Sequence, residues 1–151
     1  MTEANFKIAE KFDIETLVEF IREFYEFEHL KFDESIVRTA LAKILDDDSL
    51  GRVWLIQHGD EAIGYVVLTF GYSLEFRGRD AFIDELYIRE NYRGQGVGMS
   101  VIQFIESVCP SLGIQALHLE VERKNTAAQN LYRKVGFKDH DRYLMTKWIA
   151  N

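Results

Sequence analysis

The stretch Arg93-Gly94-Gln95-Gly96-Val97-Gly98 sets three glycines at alternate positions between two patterned segments. Before it, Phe82 to Arg89 reads as a strand. After it, Val97, Val101, Phe104, Ile105 and Val108 recur at helical spacing, so the turn feeds directly into an amphipathic helix. Glycine lets the backbone approach a ligand closely, and the first amides of a helix lack internal partners and lie at the positive end of its dipole. The pattern therefore predicts an anion site. A P-loop would need Lys followed by Ser or Thr after the last glycine, whereas Met99-Ser100 follows here. A dinucleotide fingerprint starting at Gly94 would need Gly or Ala at Met99. Glu120 lies about where its ribose-binding acid would sit, but the turn comes late in the chain for that motif. A tight turn with no ligand accounts for one or two glycines, not for three alternating ones ahead of a helix.

Downstream, Leu117, Leu119 and Val121 alternate with His118, Glu120 and Glu122, the period of a strand. Asn125 can cap a helix carrying Ala128, Leu131, Tyr132 and Val135, which Gly136 would end, and Arg142 to Ile149 reads as a last strand. Upstream, Phe6 to Ala9 is a short strand. Asp13 is placed to cap a helix with Ile14, Leu17, Val18, Ile21, Phe24 and Tyr25 on one face and Glu15, Glu19, Glu23 and Glu26 on the other. A second helix starts near Asp33 and ends around Asp46-Asp47-Asp48, a run expected to be a solvated helix end. Val53 to Gln57, a turn at residues 58–61 and Ala62 to Phe70 form a hairpin, followed by a loop rich in Gly and Arg. The order is strand, two helices, three strands, helix, strand, helix, strand. Two strand–helix–strand units require crossovers, so the expectation is an α/β (α+β) fold with a mixed sheet and helices on both faces.

At 151 residues the chain is expected to form one domain, residues 1–151, since single cores usually serve roughly 100–200 residues. Its 47% apolar content excludes a disordered or collagen-like chain. The net charge of −7 argues against nucleic acid, whose partners normally carry a basic stripe. The charge is uneven: residues 1–62 hold 7 basic and 15 acidic side chains, and residues 63–151 hold 11 and 10. Cys109 stands alone, no Cys/His pair has zinc-ligand spacing, and no metal is expected. The start has no signal-peptide pattern and no apolar run reaches the roughly 20 residues that span a bilayer, so no membrane partner and a cytoplasmic location are expected.

The turn, the preceding Glu85-Leu86-Tyr87-Ile88, the segment Asn125 to Asn130 and the run Leu131-Tyr132-Arg133-Lys134-Val135-Gly136-Phe137 together resemble the GNAT superfamily of acetyl-CoA-dependent N-acetyltransferases. The match is densest over residues 80–149. The resemblance implies a GNAT-type sheet, splayed at the cofactor site by a β-bulge, and acetyl-CoA as cosubstrate. Its pyrophosphate would lie on the amides of Arg93, Gly94, Gln95, Gly96, Val97 and Gly98, and its pantetheine arm along Leu86, Tyr87 and Ile88. The Ile88 amide would face the thioester carbonyl, where a donor stabilises developing negative charge.

Acetyl transfer to an amine needs a base for the nucleophile and an acid for the departing thiolate. The resemblance implies Tyr132 as the acid; a core tyrosine with a satisfied hydroxyl is the other reading. Glu85 is the base candidate, against a structural acid paired with an arginine. Strict alternation from Ile83 puts it on one sheet face with Tyr87, unless a bulge breaks the count. Asn125 has two compatible roles, helix cap and cofactor contact. The acceptor is expected to be a small-molecule amine or a lysine side chain, with a cationic amine suggested by Glu23, Glu26, Glu28 and Glu75; a merely solvated acidic face is the alternative. His118 is expected on a polar sheet surface, and Phe20, Phe24, Phe27 and Phe32 in packing. Dimers are common in the superfamily, so a homodimer is an expectation. A catalytically silent acyl-CoA sensor of the same fold is the competing function; it would bind the cofactor without turnover.

Overall fold

The computed structural model describes residues 2–150, which divide into two compact units, one up to residue 119 and the other from residue 120. The first unit holds β1 (Asn5–Ile8), α1 (Ile14–Phe27), α2 (Glu34–Asp46), β2 (Gly51–His58), β3 (Glu61–Ser73), β4 (Gly78–Ile88), α3 (Val97–Val108) and β5 (Ala116–His118). The second holds α4 (Thr126–Lys134). The sheet runs β1-β2-β3-β4-β5, antiparallel except for the β4–β5 pair, so it is mixed as expected.

Alternation sorts the strand residues onto two faces. Val53, Leu55, Tyr65, Val67 and Tyr87 form one buried cluster with Leu17, Val18, Phe20 and Ile21 of α1 and Leu41 of α2. On the other face Trp54 meets Phe104 of α3 edge-on at 5.3 Å, and Phe104 stacks on Phe6 at 4.2 Å. The acidic side of α1 is partly neutralised: Arg38 holds Glu15 through two 2.8 Å hydrogen bonds and Glu34 at 3.0 Å, while Arg22 pairs with Glu34 at 2.8 Å. Exposed pairs of this kind contribute little individually and serve mainly to fix α1 against α2.

Several local expectations are corrected. Asp13 does not cap α1; its carboxylate accepts from the Glu10 amide at 2.9 Å and from Lys7 Nζ at 3.0 Å, closing the short 3-10 turn Lys11–Asp13. Asp33 does cap α2, accepting from the Ile36 amide. The first hairpin turns at Gly59, where φ is +61°. The Gly- and Arg-rich segment is largely not a loop: β3 continues to Ser73 and β4 begins at Gly78, with Arg77 at φ +72° in the turn between them. The strand expected at residues 117–121 is shortened to Ala116–His118, and Arg142 to Ile149 forms no strand. Tyr143, Leu144, Met145, Trp148 and Ile149 alternate with nothing and are exposed, so the apolar content of that segment buries no face. His118 is not a surface residue: it is half-buried, shares a 3.0 Å hydrogen bond with buried Asp80 and packs against Phe76 and Phe82. Of the phenylalanines, Phe20 lies in the core and Phe24 and Phe32 pack against it, but Phe27 is exposed.

Gly64 is where the sheet is tightest. A Cβ there would stand 2.0 Å from the Tyr87 carbonyl oxygen, so any side chain must push β4 away from β3. Gly64→Ala should therefore lower stability by about 1–3 kcal/mol, read as a lower urea midpoint, whereas an unchanged midpoint would mean that β4 yields freely.

Candidate active site

β4 carries one residue more than β3 opposite it. Val67 pairs with Glu85 and Leu68 with Ile83, leaving Asp84 as the bulged residue. Ile83 therefore shares a face with Leu68, while Glu85 shares the α1 face with Val67, Tyr65 and Tyr87. Counting by twos from Ile83 gives the right companion, Tyr87, but the wrong relation to Ile83. Beyond the bulge β4 also loses its outer neighbour, because the β4–β5 ladder covers only residues 80–82 against residues 116–118.

The hydrogen-bond phase of this freed segment follows from one contact. The Arg89 amide donates to the Ile63 carbonyl at 2.9 Å, so in the antiparallel register Tyr87 also bonds β3, and Leu86 and Ile88 turn their amides and carbonyls away from it. Arg93 Nε donates to the outward Ile88 carbonyl at 2.7 Å, which leaves the Ile88 amide as the outward donor. The Arg93 guanidinium also lies over the rings of Phe27 and Tyr87, pinning the start of the glycine turn to β4.

That turn follows a short 3-10 segment, Glu90–Tyr92. Gly94 and Gly96 take φ +73° and +85°, the left-handed region that glycine reaches without strain. Gly96 is the N-cap of α3 and offers no side-chain cap. Residues 94–96 donate no backbone amide hydrogen bond among the described residues, and the first amides of α3 have no partner within the helix. Gln95 is held from the other side: its carbonyl accepts from the Thr2 amide at 3.2 Å, its side-chain oxygen accepts from the Thr2 hydroxyl, and its Nε2 donates to the Asn91 carbonyl. Positions that a side chain would fill at Gly94 and Gly98 meet nothing within 4 Å. Free amides, open space and a helix N-terminus make a cradle for an anion.

Glu85 is the chemically unusual group. Tyr25 of α1 donates to its Oε2 and Tyr65 of β3 to its Oε1, both at 2.7 Å. Burial pushes its carboxyl above the ordinary glutamate range, opposed by the two hydroxyls and assisted by the neighbouring Asp84 carboxylate. Burial also raises Asp84, and it raises both tyrosines further by setting them against a carboxylate. Among the described residues no arginine pairs with Glu85. The arginine partner falls instead to Glu23, which takes Arg89 at 3.2 Å and the Tyr87 hydroxyl at 2.9 Å, so Glu23 is committed to holding α1 on β4.

The remaining candidates lie in the second unit. Asn125 caps α4, its Oδ1 accepting from the Ala128 amide at 3.2 Å. Tyr132 sits in the last turn of α4 against Phe137, with ring centroids 5.9 Å apart, and burial raises its hydroxyl above the ordinary tyrosine range. Gly136 at φ +105° turns the chain back, and the Phe137 amide closes on the Tyr132 carbonyl at 3.0 Å.

Residues 14–137 match the model of the acetyltransferase (GNAT) family. The chain belongs to that family. It is similar to the thialysine N-epsilon-acetyltransferase of Bos taurus, 28% identical over 144 residues that cover 87% of this chain and 82% of that protein. A D-amino-acid N-acetyltransferase of Saccharomyces cerevisiae is 25% identical over 134 residues, 87% of this chain and 83% of that protein. Among solved structures, an integron cassette protein from the mobile metagenome of Cole Harbour Salt Marsh matches with a TM-score of 0.84 at 32% identity, over 97% of this chain and 91% of its own. An aminoglycoside N-acetyltransferase in complex with CoA shares the fold, with a TM-score of 0.79 at 14% identity, over 99% of this chain and 97% of its own. The GNAT fold thus accounts for the mixed sheet and for the bulged, half-released β4.

Tyr25 and Tyr65 are absent from the sequence-based candidates because nothing in their spacing ties them to Glu85; they are 60 and 20 residues away in sequence. The only signal was their type, hydroxyl-bearing aromatics at positions patterned as core. Among the described residues no cluster could hold a metal ion, and no helix is long and apolar enough to cross a membrane.

The raised Glu85 carboxyl has a consequence for stability. The folded protein holds this proton more tightly than the unfolded chain, so the cost of the half-buried carboxylate is absent in acid and grows as pH rises past the unfolded glutamate range. Glu85→Gln should melt at a higher temperature than the parent near neutral pH and lose that advantage as pH falls toward ~4. Thermal melts across that range check it, and equal melting temperatures throughout would show that the carboxylate is not costly.

Proposed function

We propose that this protein transfers the acetyl group of acetyl-CoA to a primary amine of a small cationic molecule or a lysine-like side chain. The observation that carries this reading is a single end of β4 that joins a half-buried, hydroxyl-bound Glu85 to outward backbone amides and then to a turn of unpartnered amides. Acetyl-CoA, when bound, supplies the activated acetyl group and a thiolate leaving group. The residues of the first unit fit it: residues 93–98 would hold the pyrophosphate and Leu86 and Ile88 would pair with the pantetheine arm; Asn125 is assigned a cofactor contact by its place in the family pattern alone. Tyr87 has its backbone committed to β3, so its part is limited to its ring.

Glu85 then acts as the base, removing a proton from the ammonium form of the acceptor directly or through one water; a carboxyl raised by burial suits that task. The Ile88 amide supplies a hydrogen bond where negative charge develops. Tyr132, by its place in the family pattern before Gly136-Phe137, returns a proton to the departing sulfur. The acceptor's positive charge is matched by Glu26 and Glu28 at the end of α1 and by Asp84, none of which forms an ion pair among the described residues. Two relatives are named as N-acetyltransferases of thialysine and of D-amino acids, which are small molecules carrying a primary amine.

An acetyl-CoA-dependent thiol-release assay over thialysine, lysine, spermidine, aminoglycosides and neutral amines tests the reading. Cationic primary amines should turn over fastest, and Tyr132→Phe should lower turnover by roughly 10²–10⁴ with acetyl-CoA affinity nearly unchanged. A preference for neutral acceptors would overturn the charge argument, and unaltered turnover in the variant would remove Tyr132 from the chemistry. Gly98→Val places its side chain in open space at a helical φ, so the fold should survive while acetyl-CoA binding falls at least tenfold by calorimetry. Unchanged affinity would place the phosphates elsewhere.

A further inference from the structure

We infer that Tyr25 and Tyr65 are positioning residues that hold the Glu85 carboxylate at both oxygens and set how readily it takes the acceptor's proton. The inference rests on the reading of Glu85 as the base. Its footing is geometric. The two hydroxyls come from different elements, α1 and β3, and reach different oxygens at equal 2.7 Å distances, so the carboxylate plane is fixed by two anchors.

The anchors are themselves rigid. Tyr65 is fully buried, packed at 6.4 Å from Phe20 and from Tyr87 and edge-on to Phe24. Tyr25 packs edge-on against Phe24 and Phe32. Neither hydroxyl has another hydrogen-bond partner among the described residues, so both are spent on Glu85. The other titratable groups facing this carboxylate are few: Asp84 is adjacent on β4, whereas the Tyr87 hydroxyl, on the same face, is turned to Glu23 of α1 and sits beside Arg89. Glu85 is thus held by neutral donors rather than by a cation. The difference matters for chemistry. A cation would stabilise the carboxylate so strongly that it would be a poor base, while two hydroxyls keep it ionised enough to accept a proton and aimed in one direction. A carboxylate oxygen has a second lone pair, so each can still meet the incoming amine or water.

Removing a hydroxyl should make the carboxylate harder to form, because hydrogen bonds to the charged form favour it. Tyr65→Phe and Tyr25→Phe keep the rings and delete only the donors. In each, the acidic limb of the kcat/KM profile should move to higher pH, read as a three- to tenfold lower rate about one pH unit below the parent's midpoint, with the alkaline plateau falling less than about threefold. The acceptor amine titrates identically in all variants, so displacement between the curves isolates the enzyme group. A ¹³C NMR titration of the Glu85 carboxyl, assigned with Glu85→Gln, should show its midpoint rising in both variants without any need for turnover.

An unmoved carboxyl titration in both variants overturns the inference. A titration that moves while the rate profile does not would show that the hydroxyls hold Glu85 without serving catalysis, which also overturns it. Parent-like turnover in Glu85→Gln would instead remove the base reading, a distinct failure. Tyr25 is the partly exposed member of the pair, so Tyr25→Phe carries the test should Tyr65→Phe fail to fold.

Discussion

A single extra residue in β4, Asp84, is the constraint on which the rest of the candidate site depends. The bulge reverses which face the following residues present, so that Glu85 turns toward α1 and its tyrosines instead of following Ile83 to the α3 side. It also coincides with the end of the β4–β5 ladder at residues 82 and 118, which frees the outward amides of Leu86 and Ile88. One local slip in register thus delivers a half-buried carboxyl to one face and unpaired backbone donors to one edge. A regular strand of the same composition would offer neither.

The freed end of β4 is not left loose. Arg89 is tied to Glu23, the Tyr87 hydroxyl to the same carboxylate, and Arg93 to the Ile88 carbonyl and the rings of Phe27 and Tyr87. These contacts make up for the missing outer strand and aim the glycine turn that follows. They also divide the acidic surplus of the N-terminal half into different tasks. Glu15, Glu23 and Glu34 are consumed by arginines in holding α1, α2 and β4 together, and Glu85 is held by hydroxyls, while Glu26 and Glu28 stay at the end of α1. The charge imbalance visible in composition is therefore partly consumed by the scaffold and partly left without an ion pair among the described residues.

Much of this was legible in the residues. Gly94 and Gly96, the Gly59 hairpin turn, the Asn125 cap and Gly136 behave as their types predict, because each acts through its own backbone or its near neighbours. Asp13 failed the same logic because Lys7 and the Glu10 amide competed for its carboxylate. His118 was misplaced for a longer-range reason: alternation assigns a face but not an occupant, and Asp80, Phe76 and Phe82 close over it. Arg142 to Ile149 has the composition of a strand yet forms none, since a strand also needs a neighbour to complete its hydrogen bonds.

By itself the sequence determined the family, the order of the elements as far as α4 and the glycine turn ahead of α3, because those are written in local periodicity and in glycine's freedom. Only the tertiary structure decided that Asp84 is the bulged residue, that Glu23 rather than Glu85 receives the arginine, and that two tyrosines from distant elements meet on the Glu85 carboxylate. Those outcomes depend on which strands stop pairing and which side chains compete for the same partner, and a linear pattern carries no information about either.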